Sequence, residues 1–399
     1  MDRITTKILV LDDDAFTLNL HATMLANLGF QQVATCASGH EALGTLSDAD
    51  TSPSVILVDL NMPGMDGVEF VRKLVTRGYT GCLILVSGEG ERILKSAHTL
   101  VKAHQIDVLG SFSKPVSPHL LDSALNKADS TNSTRRRAAR KSYSAVELQL
   151  GIQNGELINH YQPKLSIPNG QVTGVETLVR WQHPLDGLVY PDQFIPEAEA
   201  HGLIDALTGA VLVQAFTDAA TWRAAGLELS VAINVSMDNL TALDFPDFVS
   251  EQARLKGLKP ASIVLEVTES QLMKDLRAPL EILTRLRLRR FRLSIDDFGT
   301  GHSSLAQLRD LPFDELKIDR SFVHGARHNK TLRAIFQASL GLAKELGMET
   351  VAEGVEDSDD FDFLKSTCCD LAQGYLFAKP MAASQVDAWV RAYSQTGAE

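Results

Sequence analysis

The sequence predicts an α/β protein in two parts: a doubly wound parallel sheet over residues 1–127, then a (βα)8-type barrel over residues 144–399. Three observations carry this. In both parts, apolar strand-like runs alternate with amphipathic helix patterns. Nearly every run ends in a polar or charged residue, where such folds place their sites. Between the parts, Asn126–Tyr143 is polar and poor in apolar residues, so residues 128–143 read as a linker. A length of 399 residues suits two or three ordinary domains.

Composition narrows the function. Fifty acidic and 38 basic residues give a net charge of −12, a poor balance for gripping a long nucleic acid, so no DNA is expected. The basic cluster Arg135, Arg136, Arg137, Arg140 and Lys141 lacks interleaved aromatics and reads as a solvated connector. Cys36, Cys82, Cys368 and Cys369 are too few and too irregular for a disulfide framework or zinc module. The adjacent Cys368 and Cys369 read as two small buried thiols. No signal-peptide pattern precedes the apolar run at Ile8, and no apolar stretch would span a bilayer. A cytoplasmic protein without membrane insertion is expected.

In the first part, the runs Ile8–Leu11, Val55–Val58, Leu83–Val86 and the segment before Lys114-Pro115 read as strands. They end in Asp12-Asp13-Asp14, Asp59, Ser87 and Lys114. Carboxylates gathered at one sheet edge repel one another and call for a cation, and hard oxygen ligands favour Mg²⁺. Any one of these residues alone would be an ordinary polar strand end; the ordered set makes Asp59 a plausible aspartyl nucleophile. Lys7–Lys127, including the turn Asn61-Met-Pro-Gly-Met-Asp-Gly67, resembles the flavodoxin-like receiver domain of bacterial two-component response regulators. The resemblance implies that Asp12 and Asp13, with Asp59, bind one Mg²⁺, and that Asp59 is phosphorylated by a sensor histidine kinase or phosphotransfer protein. It also implies that Ser87 and Lys114 read the phosphoryl group. One position departs from the pattern: Ser111 stands where the family has a switch aromatic, and Phe112 falls on the opposite strand face.

The second part opens with Ser144-Ala-Val-Glu147, a capping box that starts a helix through Leu150. Strands are expected at His160–Leu165, Gly174–Val179, Ser230–Ile233, Ile263–Leu265, Arg292–Ile295, Glu315–Leu316, Thr350–Ala352 and Asp370–Ala372. Alternation over this length suggests the barrel, with its site at the carboxyl ends of the strands. Those ends carry Glu176, Asn234, Glu266, Asp296, Asp297, Lys317, Glu353 and Gln373. Carboxylates crowded at one mouth with a single lysine cannot all stay ionised without bound cations. Oxygen and amide donors without Cys or His favour Mg²⁺ or Mn²⁺ over Zn²⁺. Adjacent Asp296 and Asp297 could bridge two metals, an arrangement used to cleave phosphodiesters.

The segments Glu176-Thr-Leu-Val-Arg180, Ile233-Asn-Val-Ser236, Leu265-Glu-Val-Thr-Glu269 and Asp296-Asp-Phe-Gly-Thr-Gly-His-Ser-Ser304 resemble the EAL domain. So do Leu316-Lys-Ile-Asp319, Ala352-Glu-Gly-Val-Glu356 and Ala372-Gln-Gly-Tyr-Leu-Phe377; together the resemblance spans Val146–Arg391. It implies a phosphodiesterase that hydrolyses cyclic di-GMP to linear 5′-pGpG with two Mg²⁺ or Mn²⁺ ions. Carried over, Glu176, Asn234, Glu266 and Asp296 hold one metal, and Asp296, Asp297 and Glu353 the second. Lys317 orients or deprotonates the attacking water, and Gln373 hydrogen-bonds within the metal-water shell. Gln162, Leu178 and Arg180 bind the dinucleotide. Glu269 anchors the mobile loop Phe298–Ser304, through which a homo-oligomer, dimer or higher, is expected to tune the site.

Thr177 replaces the signature Ala, on the strand face turned away from the metals, and His302 replaces a common Tyr; neither removes a ligand. The alternatives are a non-catalytic cyclic di-GMP receptor, which a missing metal ligand would favour, and a protein-interaction scaffold.

Overall fold

The computed structural model describes residues 3–46, 52–104, 106–126, 143–268, 277–299 and 305–396. Contacts divide the chain into two compact units, Met1–Arg140 and Lys141–Glu399.

The first unit runs β1 (Lys7–Leu11), α1 (Ala15–Asn27), β2 (Gln32–Cys36), α2 (Gly39–Thr45), β3 (Val55–Asp59), α3 (Gly67–Thr76), β4 (Cys82–Ser87), α4 (Glu91–Ala103), β5 (Asp107–Ser113) and α5 (118–126). Its sheet has the order β2-β1-β3-β4-β5, all parallel. The central strands are continuous apolar runs because both faces are covered. Leu9, Ile56, Val58, Leu83 and Leu85 pack with Phe70, Leu74, Leu94 and Val101 on one face. Ile8, Val10, Leu57, Ile84 and Val86 pack with Leu25, Phe30, Leu121 and Leu125 on the other. Asp14 caps α1 by accepting from the Phe16 and Thr17 amides, which leaves Asp12 and Asp13 to the sheet edge.

The second unit opens with α6 (Ala145–Gln153), whose Ser144–Glu147 capping box is formed on both sides. It continues through β6 (Leu157–Ser166), β7 (Val172–His183), β8 (Gly187–Val189), α7 (Ile195–Ala200), α8 (Ile204–Ala224), β9 (Ser230–Asn234), α9 (Phe245–Leu255), β10 (Ile263–Thr268) and α10 (Arg277–Leu288). Then come β11 (Arg292–Phe298), α11 (Leu305–Asp310), β12 (Glu315–Ile318), α12 (Arg320–Val323), α13 (Lys330–Glu345), β13 (Glu349–Ala352), α14 (Ser358–Lys365), β14 (Leu371–Ala372), β15 (Met381–Ala382) and α15 (Ala383–Thr396).

Eight strands close a barrel in the order β6-β14-β13-β12-β11-β10-β9-β7, with β7 returning to β6. Every strand expected from the sequence is one of the eight. The first departs from simple βα repetition: β6 is antiparallel to both β7 and β14, because a hairpin rather than a helix joins it to β7. Outward residues Val231, Ile233, Ile263, Leu265, Leu293, Ile295 and Leu316 form one core with Phe216, Val249, Ile282, Leu286, Phe336 and Leu340 of the helices. The opposite parity faces the barrel interior, and there the sequence is polar: Glu176, Asn234, Glu266, Ser294, Asp296, Glu315 and Lys317.

Two expectations change. Tyr143, read as the last linker residue, is buried, with its ring 4.9 Å from Trp181 and 5.2 Å from His183 and its hydroxyl 3.2 Å from Asp186 Oδ2. A lone aromatic at the end of a polar stretch gives no periodicity that would reveal this packing. Cys369 is buried as expected but Cys368 is exposed, since the turn after α14 points adjacent side chains apart. The basic cluster at 135–141 lies outside the described residues. Among the described residues, no helix is long and apolar enough to cross a membrane.

Candidate active site at the barrel mouth

In the first unit, β1, β3, β4 and β5 bring together the polar ends predicted from the sequence. The Lys114 ammonium lies 2.7 Å from Asp12 Oδ2 and 2.7 Å from Asp59 Oδ2. Carboxylate oxygens of Asp12, Asp13 and Asp59 come within 4.8 Å of one another. Burial pushes the Asp59 carboxyl up against the opposing pull of Lys114, while Asp12 and Asp59 raise Lys114 despite its own partial burial. Ser87 is buried at the end of β4, its hydroxyl accepting from the Glu89 amide at 3.0 Å. Gly67 is required where the turn after β3 folds back, because a Cβ there would stand 2.5 Å from the Asp59 carbonyl.

Ser111 and Phe112 take opposite faces as strand alternation requires. Phe112 packs on the α1–α5 side near Ala124, whereas Ser111 Oγ lies 2.8 Å from His98 Nδ1 on α4. The sequence offered no sign of this polar pairing.

In the barrel, Lys317 is the centre of the site. It is fully buried, 2.7 Å from Glu353 Oε1, 3.1 Å from Glu266 Oε2, 3.1 Å from Asp296 Oδ1 and 3.5 Å from Glu176 Oε1. Two overlapping clusters share Asp296: Glu176, Glu266 and Asp296, and Asp296, Asp297 and Glu353, each with ligand oxygens within 4.8 Å of one another. Asn234 stands beside the first, its Nδ2 3.4 Å from Glu176 Oε1. Gln373 donates to Glu176 Oε2 and, at 3.1 Å, to Gln162 Oε1, and its own buried side-chain Oε1 has no partner. Gln162 in turn donates to the Ala378 carbonyl at 3.0 Å.

Adjacent strand residues normally face opposite sides, yet Asp296 and Asp297 both contribute to this mouth. A bulge makes this possible: between β11 and β12 the register shifts, and Asp297 takes a left-handed φ of 56°. The last strand is held equally closely, since a Cβ on Gly374 would meet the Val355 carbonyl at 2.1 Å.

Charge balance in the mouth is uneven. Burial drives Glu176 and Glu353 above the usual carboxylate range despite Lys317, and burial followed by Asp296 does the same to Asp297. Glu266 behaves oppositely: burial opposes its charge, but Lys164 and Lys317 outweigh it and hold it at about 2. An excess of converging carboxylates, an orphaned amide oxygen and no thiol or imidazole among the donors fit hard divalent cations.

A cavity of about 330 Å³ opens over this ring, lined by Gln162, Glu176, Leu178, Asp296, Asp297, Glu353 and Gln373. Arg320, Glu356 and Tyr375 also line it, and Arg320 and Glu356 pair at 2.9 Å. None of these three was legible in the sequence, because each follows a recognised strand end by a few residues, Arg320 at the start of the short α12 and Glu356 and Tyr375 in irregular loops. Arg180 does not line this cavity: its guanidinium donates to the Val179 carbonyl at 2.8 Å and lies 5.0 Å from the Tyr190 ring, with Nε buried and unpartnered. Thr177 is buried on the outer face of β7 beside Leu207, Thr208 and Val211, away from the acids. Glu269 and residues 300–304 of the Phe298–Ser304 loop lie outside the described residues.

A family model of the EAL domain matches residues 145–380. The chain belongs to the EAL family. A response regulator receiver domain model matches residues 8–126 ahead of it. The cyclic di-GMP phosphodiesterase RocR of Pseudomonas aeruginosa is 31% identical over 377 residues, 94% of this chain and 96% of that protein. The cyclic di-GMP phosphodiesterase NbdA of the same organism is 42% identical over 258 residues, 64% of this chain, but the match spans only 33% of NbdA. The solved structure described as "PaMucR Phosphodiesterase, c-di-GMP complex" superposes with a TM-score of 0.57 at 40% identity, over 60% of this chain and 98% of that one. The EAL domain here therefore follows a receiver with the fold expected of it.

Proposed function

We propose that the chain is a response regulator whose EAL domain hydrolyses cyclic di-GMP to 5′-pGpG with two Mg²⁺ or Mn²⁺ ions, under the influence of phosphorylation at Asp59. The observation that carries this reading is the full set of donors, Glu176, Asn234, Glu266, Asp296, Asp297 and Glu353, converging on Lys317 at one mouth. Its support from relatives is the naming of RocR and NbdA as cyclic di-GMP phosphodiesterases and the solved MucR complex with that ligand.

Glu176, Asn234, Glu266 and Asp296 would hold one ion and Asp296, Asp297 and Glu353 the other. When bound, the ions supply Lewis-acid stabilisation of the phosphorane-like charge and an activated water for in-line attack. Gln373 orients Glu176 by donating to it, and keeps its free side-chain Oε1 for the water shell. Lys317 has three N–H donors and three carboxylates within 3.1 Å, so its ammonium is fully engaged. That favours an electrostatic and water-orienting role over proton abstraction. Gln162 and Leu178 border the cavity where the dinucleotide would lie, and Arg180, with an unpartnered Nε, would turn toward a phosphate.

In the receiver, Asp12, Asp13 and Asp59 would hold one Mg²⁺, and Ser87 and Lys114 would follow the phosphoryl group delivered to Asp59 by a histidine kinase or phosphotransfer protein. A homo-oligomer is the expected working form.

The test is direct. The purified protein is incubated with cyclic di-GMP and Mg²⁺ or Mn²⁺, and the product is identified by mass. Linear pGpG is expected with either ion and not with Ca²⁺, whose looser geometry suits in-line attack poorly. Tight binding of the dinucleotide without a linear product would make the EAL domain a receptor. Rates with and without acetyl phosphate, in wild type and Asp59→Asn, test the control; equal rates with phosphorylation confirmed would assign the receiver to assembly or localisation.

A further inference from the structure

Below the mouth, the barrel interior carries a second buried lysine. Lys164 on β6 is 3% exposed, and its ammonium donates to Glu266 Oε1 at 2.8 Å and to Glu315 Oε1 at 3.0 Å. β6 is separated from β10 by β7 and β9, so this contact crosses the lumen. Glu266 thus has each carboxylate oxygen on a different lysine: Oε1 on Lys164 from below, Oε2 on Lys317 at 3.1 Å from the mouth side. Glu315 Oε2 faces Arg292 at 3.8 Å, and Arg292 pairs with Glu349 toward the lower rim. The result is a column of alternating charge: Glu349, Arg292, Glu315, Lys164, Glu266 and Lys317.

Neutralising Glu266 does not require this column, because Lys317 is already in contact with it. Burying the further pair Lys164 and Glu315 costs desolvation of two more ions, where apolar side chains could fill the same layer. What the pair adds is geometry. A carboxylate gripped at one oxygen by a fixed cation cannot rotate about its last torsion, so its other oxygen stays aimed at the mouth.

We propose that Lys164 is a positioning residue that holds Glu266 by Oε1 so that Oε2 is presented to a divalent ion, and that Glu315 holds Lys164 in place. This rests on the reading of Glu266 as a metal ligand.

The test compares full-length wild type with Lys164→Met, Glu315→Gln and the double variant. Mn²⁺ affinity is measured by titration calorimetry, stability by thermal unfolding in EDTA, and kcat and KM for cyclic di-GMP at saturating Mn²⁺. The receiver's acidic pocket is the same in all four proteins, so differences report the barrel. Lys164→Met is expected to weaken Mn²⁺ binding by about tenfold or more, the usual effect of removing a ligand's orienting partner. It also loses stability, because among the described residues Glu315 then keeps only the distant Arg292 as an ion-pair partner. The double variant regains stability but not Mn²⁺ affinity, and at saturating Mn²⁺ its KM stays within about twofold of wild type.

Wild-type Mn²⁺ affinity in the double variant would overturn the proposal and make Lys164 a structural counter-charge. Tighter Mn²⁺ binding in Lys164→Met would overturn it as well, since the lysine would then act only by repelling the ion. A wild type that binds no Mn²⁺ in the barrel would instead sink the metal-dependent reading itself.

Discussion

Lys317→Met replaces a fully buried ammonium with an apolar side chain of similar length while four carboxylates remain within 3.5 Å of where it stood. Stranding buried charge in this way typically costs about 3–5 kcal/mol. At roughly 2–4 °C per kcal/mol for a unit of this size, the barrel's Tm in EDTA should fall by on the order of 10 °C. All three tryptophans, Trp181, Trp222 and Trp389, lie in the barrel, so their fluorescence follows its unfolding and not the receiver's. The deficit has a definite pH dependence. Glu176 and Glu353 already have raised pKa values, so the stability of their protonated forms is present at acid pH and lost as pH rises through the folded values. Removing the cation raises them further, so variant and wild type should converge at acid pH and diverge toward neutrality. Saturating Mn²⁺ supplies replacement charge and should recover most of the loss, while turnover stays low. A Tm loss that neither Mn²⁺ nor acid relieves would refute the charge argument and point to a packing defect.

Three further outcomes follow from the same geometry. Asp297→Asn keeps a residue type that tolerates the left-handed φ of 56° and removes a carboxylate crowded by Asp296, so metal-free Tm should rise while phosphodiesterase activity collapses; a lower Tm would show that Asp297 is not a source of repulsion. Cation binding must expel protons from the raised Glu176, Glu353 and Asp297, so Mn²⁺ affinity should increase with pH, with proton release visible as a buffer-dependent calorimetric enthalpy. Tyr143→Ala, which removes a ring packed on Trp181 and His183, should destabilise the barrel by about 3 kcal/mol as followed by tryptophan fluorescence; no shift would place Tyr143 outside the barrel core.

How much of this was legible in the sequence depended on whether a residue's role follows from strand periodicity. Glu176, Asn234, Glu266, Asp296 and Lys317 alternate with the apolar positions of their strands, and the fold then brings them to one mouth. Asp59, Ser87 and Lys114 were readable for a different reason, as the polar residues that close strand-like runs at one sheet edge. Asp297 breaks alternation, and only the bulge in β11 explains why it joins its neighbour. The antiparallel placement of β6 was not legible, since a strand pattern carries no direction. Lys164 fits the interior parity of β6, but its partners Glu266 and Glu315 lie 102 and 151 residues away, and no local pattern connects them. Glu356 and Tyr375 sit in loops and Arg320 opens the one-turn α12, where position depends on the whole chain path rather than on a repeat.

The two sites solve one electrostatic problem with different remainders. In the receiver, Lys114 is shared by Asp12 and Asp59, with Asp13 nearby, so one divalent ion and the lysine roughly balance the acids. A phosphoryl group on Asp59 would upset that balance by adding negative charge, and Lys114, already 2.7 Å away, is the cation that must answer it. In the barrel, Lys317 faces Glu176, Glu266, Asp296 and Glu353 with Asp297 beside them, and Lys164 is itself committed to Glu315 as well as Glu266. The surplus there exceeds what one divalent ion would neutralise, which is the physical reason to expect two. The receiver would thus register one added negative charge, whereas the barrel mouth holds surplus carboxyl groups, partly as protonated acids, with Lys317 fully engaged until metal arrives. An anionic dinucleotide should therefore bind weakly before the ions and tightly after them, and its affinity in EDTA against that in Ca²⁺, an ion expected to bind the acids without supporting turnover, measures that order directly.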